Sequence, residues 1–146
     1  MGYGSDSVQQ VLHGLKCEIV INQNWAQGQG SSVAAGVTRL KSDIDAVLLL
    51  VADQPKISAK LILSLIETGK KKSEEIIIPS HKSRRGNPVL FKRSTFADLS
   101  ELKADLGGKS IFSAHSLYFM EWQNPDEFED IDTIEDYQGL LDDNEK

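Results

Sequence analysis

The sequence predicts an α/β domain built on a mainly parallel sheet covered by helices on both faces, and three observations carry that prediction. Short β-rich apolar runs alternate along the chain with segments of helical periodicity. One run, Ala46-Val47-Leu48-Leu49-Leu50-Val51-Ala52, is aliphatic without interruption, the pattern of a central strand buried on both faces. The helical segments between the strands have the length a crossover between parallel strands requires, about 10–15 residues. At 146 residues the chain matches one domain, since chains of ~150 residues bury about 70% of the surface they expose when unfolded. A single domain over residues 1–146 is expected.

The elements follow in order. Ser5 and Asp6 are N-cap residue types, and Val8, Val11, Leu12 and Leu15 recur at helical spacing, so a short helix should run to about Gly14. Residues 17–21 are β-rich and predict a strand that ends at Asn22-Gln23-Asn24. Gly28 and Gly30 then mark a loop leading into a helix over 31–40. The aliphatic run at 46–52 is stopped by Asp53-Gln54-Pro55. Ser58 caps a helix whose apolar positions are Leu61, Ile62, Leu65 and Ile66, with Gly69 at its end. A strand at 75–78 precedes Pro79, and Pro88-Val89-Leu90-Phe91 also reads as extended. Residues 96–102 read as helix, 117–122 as strand and 125–129 as loop. Thr133 caps a last helix whose first turn carries Glu135 and Asp136, favoured by the helix dipole.

Composition narrows the function. The net charge of −6 argues against bulk nucleic-acid binding, which needs cations to displace condensed counterions. One cysteine, Cys17, and three histidines far apart in sequence provide neither a disulfide framework nor a zinc spacing, which leaves a hard, oxygen-liganded metal. No apolar run approaches the ~20 residues of a membrane span. The amino terminus lacks a basic flank and apolar stretch, so the cytoplasm is the expected compartment.

Ligands of open parallel sheets lie outside the carboxyl ends of the strands, which gives the first polar residue after the most buried strand a privileged position. Here that residue is Asp53. Its carboxylate suits Mg²⁺, a hard cation that takes one or two carboxylates together with substrate phosphate oxygens; the structural alternative is a cap or Asx turn before the next helix. Alternation in Asp130-Ile131-Asp132 would point both acids to one side, a candidate second pair of metal ligands. Asp132, or Thr133, could equally serve as N-cap of the last helix. Gly28-Gln29-Gly30-Ser31-Ser32 combines glycines, hydroxyls and a helix start, features that suit a nucleotide. Arg84-Arg85-Gly86-Asn87 joins guanidinium groups, which grip phosphate bidentately, to a glycine; the alternative is an ordinary basic surface turn.

Four segments, 22–32, 51–55, 85–91 and 130–137, occur in an order and spacing that strongly resemble the MobA-like NTP transferase family, and within it the molybdenum cofactor cytidylyltransferases. The resemblance implies a Rossmann-like three-layer α/β/α domain that transfers CMP from CTP to the terminal phosphate of molybdopterin and releases pyrophosphate. It implies that Asp53 and Asp132, with Asp130 beside them, hold Mg²⁺. Gly28, Gly30, Ser31 and Ser32 would lie against the nucleotide, and Arg85, Gly86 and Asn87 on the acceptor side. The family pattern opens with a strand and a Leu-Ala-Ala-Gly type phosphate loop that these 146 residues do not contain, so the expectation is a domain lacking that strand and loop and inactive or very weak by itself. The alternatives left open are guanylyl transfer from GTP, a non-catalytic remnant that binds cofactor or pairs as a homodimer or with a molybdoenzyme, and, ranked lowest, a glycosyltransferase using Asp130-Ile131-Asp132 as its metal motif.

Overall fold

The computed structural model describes residues 1–144, with the side chains of 143 and 144 outside the description. It contains five α-helices and five strands among these residues. Two compact units form, each discontinuous in sequence: residues 1–47 with 92–116, and residues 48–91 with 117–146.

The first unit holds helices α1 (Ser5–Val11) and α2 (Gln29–Val37), the start of strand β1 (Ala46–Leu49), and helix α4 (Phe96–Ser100). The expected strand at 17–21 does not form: these residues carry no assigned element, the Cys17 amide donates to the Leu15 carbonyl, and Met1 bonds this stretch through its amino group, which donates to the Val20 carbonyl, and its carbonyl, which accepts from the Asn22 amide. A β-rich composition becomes a strand only when a neighbour completes its ladder. Helix α2 packs on α4, and Val37, Leu99, Leu102 and Ile111 are buried in this unit.

The second unit holds helix α3 (Ala59–Lys71) and strands β2 (Ile76–His81), β3 (Arg84–Arg85), β4 (Val89–Lys92, whose last residue falls in the first unit) and β5 (Leu117–Glu121), followed by helix α5 (Ile134–Asn144). The sheet order is β1-β4-β2-β3, with β5 on β2. β2 is the hub. It pairs in parallel with β5 along its length, Ile76 with Leu117 through Ser80 with Glu121, and antiparallel with β4 and β3. Ile76, Ile77 and Ile78 are fully buried. The expectation of a central strand at 46–52 is therefore corrected. β1 stops at Leu49, lies at one end of the order, and is half-buried throughout, with Leu50 exposed. Aliphatic content states how apolar a strand is, whereas centrality depends on how many neighbours bond to it.

Two further boundaries move. β2 continues through Pro79, whose carbonyl accepts from the Gly86 amide at 2.8 Å, instead of ending before it. A two-residue turn with positive φ at Lys82 and Ser83 then starts β3, an antiparallel return that Lys-Ser, unlike Asn-Gly, does not announce. Helix α3 passes Gly69 and ends at Lys71; its start is as expected, with the Ser58 hydroxyl accepting from the Leu61 amide at 3.1 Å. Leu61 and Leu65, one helical turn apart, are its fully buried face.

Candidate functional site

The second unit brings its sequence-predicted acids to one place. The chain leaves β1 and turns at Asp53, whose carbonyl accepts from the Ile131 amide at 2.8 Å. That bond sets the 53 turn directly beside the Asp130-Ile131-Asp132 segment. Asp53, Asp130 and Asp132 are all exposed, with Ile131 half-buried between the latter two, the alternation expected of an extended segment. The carboxylates of Asp53 and Asp132 form no hydrogen bond or ion pair among the described residues. Thr133, not Asp132, caps α5: its hydroxyl accepts from the Asp136 amide at 3.1 Å while Asp136 Oδ2 accepts from the Thr133 and Asp132 amides. This reciprocal pattern is a capping box with Asp at the third helical position. Hydrogen bonding with Thr133 holds the Asp136 carboxyl below its ordinary value.

An open cleft of about 700 Å³ lies against Asp130, Asp132 and Asp136, with Lys56 and Arg84 also among its walls, and Asp53 lies outside its lining, in the turn bonded to Ile131. The cations are placed by neighbouring anchors. Lys56 Nζ pairs with Glu129 at 2.9 Å, and Arg84 Nη2 donates to the Phe128 carbonyl at 3.2 Å. Arg84 reaches the cleft, whereas the guanidinium of Arg85 lies over the Phe119 ring at 5.6 Å. Gly86 serves packing: a Cβ there would come within 2.3 Å of the buried Phe128 ring. Asn87, half-buried, precedes Pro88.

Three polar residues hold this architecture although neither their type nor their spacing by itself points to a role. Gln54 is buried between two exposed neighbours, Asp53 and Pro55. Its Nε2 donates to Asp130 Oδ1 at 2.7 Å and reaches the Phe128 carbonyl at 3.4 Å, while its Oε1 is buried with no partner among the described residues. An unpaired buried amide oxygen costs about 1–3 kcal/mol. Glu127 is buried as well; it accepts from the Ser58 amide at 2.9 Å and from the Trp122 indole at 3.1 Å. Burial pushes its carboxyl up, but hydrogen bonds from Ser58, Trp122 and Asn124 outweigh that and leave it below the ordinary carboxylate value. The signal was a tryptophan five residues before an acid, opposite a helix start whose amides need acceptors.

The third is Asn22, in the first unit. It is buried, its Oδ1 accepts from the Asn24 amide at 2.9 Å, and its Nδ2 donates to the hydroxyls of Ser31 at 2.8 Å and Ser32 at 3.0 Å. The serine pair at the start of α2 is thus pinned from below. The close approach that Gly28 and Gly30 permit is made by the chain itself. A Cβ at Gly28, where φ is +101°, would meet the Ala104 backbone at 2.4 Å, and one at Gly30 the Leu106 carbonyl at 2.8 Å.

Among the described residues no three His, Cys, Asp or Glu side chains converge as a ready-made cation cage. The unengaged carboxylates of Asp53 and Asp132 nevertheless fit a divalent cation of the Mg²⁺ type, which takes few protein ligands and completes its shell with substrate oxygens and water. No helix among the described residues is long and apolar enough to cross a membrane.

The Asp53 turn follows the carboxyl end of β1, the side on which open α/β sheets take their ligands. Residues 2–118 match the MobA-like NTP transferase domain, and the chain belongs to that family. It is 29% identical over 119 residues to the purine catabolism protein PucB of Bacillus subtilis, covering 79% of this chain and 57% of that protein, so it spans little more than half the length of this relative. The crystal structure of the homologue, from Mycobacterium sp. strain JC1, of the Mycobacterium tuberculosis protein Rv0371c superimposes with a TM-score of 0.80 at 26% identity, covering 97% of this chain and 71% of that one. The manganese complex of Rv0371c itself, from strain H37Rv, superimposes with a TM-score of 0.75 at 19% identity over 97% of this chain and 74% of that one. The fold is the Rossmann-like nucleotidyltransferase type that the sequence pattern implies.

Proposed function

We propose that this chain carries the nucleotidyl-transfer chemistry of its family, very weakly by itself, moving CMP from CTP to the terminal phosphate of molybdopterin. The observation that carries the reading is the hydrogen bond from the Ile131 amide to the Asp53 carbonyl at 2.8 Å, which joins the Asp53 turn to the Asp130–Asp132 segment that lines a cleft with Arg84 and Lys56. An oxygen of the acceptor phosphate attacks the α-phosphorus; the bond from that phosphorus to the bridging oxygen breaks, and the electron pair leaves with pyrophosphate. No side-chain nucleophile is needed, so the protein's part is positioning and electrostatic stabilisation. Asp53 and Asp132, with Asp130 beside them, would hold Mg²⁺. When bound, that ion supplies neutralisation of charge on the phosphoryl oxygens. Arg84 and Lys56 add fixed positive charge from the cleft wall. Arg85 and Asn87 are assigned to the acceptor, and Ser31 and Ser32 to the nucleotide, with Gly86, Gly28 and Gly30 shaping the backbone beside them. The Bacillus relative's name places that protein in purine catabolism, which supports an acceptor used in the same setting here.

The test is transfer from α-labelled CTP to molybdopterin with Mg²⁺, comparing the chain with Asp53→Asn and Asp132→Asn. A metal-dependent rate that falls at least on the order of 100-fold in each variant is expected, because several kcal/mol of charge stabilisation is at stake. A rate indifferent to both substitutions overturns the proposal. GTP supplied in place of CTP in the same assay decides the guanylyl alternative.

A further inference from the structure

Gln54 is 94% buried, being 6% exposed, yet its side chain is only partly paired. Both groups in front of its Nε2, the Phe128 carbonyl and Asp130 Oδ1, are acceptors. Turning the amide over would set its oxygen against two other oxygens, so the orientation is fixed by its surroundings. Oε1 is left buried and unpartnered as a result. A leucine or methionine would fill the same space without an orphaned oxygen, so packing alone does not account for glutamine here. What only the amide supplies is a donor to Asp130. With Oδ1 engaged, Asp130 keeps its second oxygen for the cleft it lines. The Phe128 carbonyl, held at the same time by Arg84 Nη2, makes the anchor rigid from two sides.

We infer that Gln54 is a positioning residue, which fixes the Asp130 carboxylate as a ligand for a divalent cation in the cleft. This rests on the proposed metal role of the neighbouring acids, and it adds that Asp130 acts only when oriented by Gln54. Ligand carboxylates are commonly oriented by hydrogen bonds from behind, and loss of such a partner lowers metal affinity about 10–100-fold.

The experiment titrates Mn²⁺ alone into the whole chain, followed by electron paramagnetic resonance, with thermal unfolding of each metal-free variant in parallel. Gln54→Leu and Asp130→Asn should each weaken Mn²⁺ binding about 10–100-fold, and the double variant should be no weaker than Asp130→Asn. Gln54→Met, which keeps the length and loses the donor, replaces Gln54→Leu if the latter does not fold. Unchanged affinity with a lowered Tm would show a purely structural glutamine and overturn the inference, as would additive losses in the double variant. Failure of the unsubstituted chain to bind Mn²⁺ would overturn the metal reading itself, an outcome distinct from binding that ignores Gln54.

Discussion

Asn22 and Gln54 are equally buried amides, each 6% exposed, each between exposed neighbours in a loop that follows a β-rich run, and they differ in how completely they are satisfied. Asn22 spends its oxygen on the Asn24 amide and its nitrogen on the Ser31 and Ser32 hydroxyls. Gln54 spends its nitrogen on Phe128 and Asp130 and leaves its oxygen unpaired. A fully paired buried amide stabilises a local shape and resembles the interior of most proteins. A half-paired one sacrifices stability for the orientation of a partner, and here that partner is an acid at the cleft. One side of the comparison shapes the serine segment at the start of α2, the other an acid of the cleft.

Substitutions around the two amides sharpen this contrast. The largest expected loss of stability is at Glu127, which steadies the segment Gln54 bonds to: Glu127→Ala leaves the Trp122 indole and the Ser58 amide without their acceptor and should cost about 3 kcal/mol in urea unfolding. Its carboxyl sits below the ordinary value of 4.5 in the folded state. The stability it contributes is therefore fully present above about pH 4.5 and is lost as pH falls through the folded value. Glu127→Gln should flatten the acid limb of a stability-against-pH curve, and an unchanged limb would assign that slope to other carboxyls. Next is Gly86→Ala, which drives a methyl group into the Phe128 ring and should cost about 2 kcal/mol through overpacking, read as a fall in urea midpoint.

Asn22→Ala should cost about 1.5 kcal/mol and leave Mn²⁺ affinity untouched, because its bonds stay within the Asn24 and Ser31–Ser32 cluster. A change in Mn²⁺ affinity would break the comparison, since the satisfied amide would then also serve the cation-binding acids. The smallest effect is at the last helix: Thr133→Ala removes the cap hydroxyl and should cost about 1 kcal/mol, measured by thermal unfolding.

Legibility in the sequence followed the range of the interactions involved. The Ser58 cap, the Leu61–Leu65 face and the Thr133 start of α5 were all readable, because each rests on partners within one or two helical turns. The candidate acids were readable as residue types, and their shared neighbourhood became visible only through the bond between Ile131 and Asp53. The strand expected at 17–21 does not form for the same reason that β1 is not central: β-rich composition reports side chains, while a ladder needs a neighbour whose identity lies elsewhere in the chain.

The sequence by itself determined the α/β class, the family pattern, most helix starts and the acids and cations available for chemistry, since these are properties of local spacing and residue type. Tertiary structure decided that β2 and not β1 is the hub of the sheet, that Arg84 and not Arg85 borders the cleft, and that Asn22, Gln54 and Glu127 lie inside. The physical reason is the cost of burying polar groups. A buried amide or carboxylate is tolerable only beside its partners, and the partner of Gln54 stands 76 positions further along the chain.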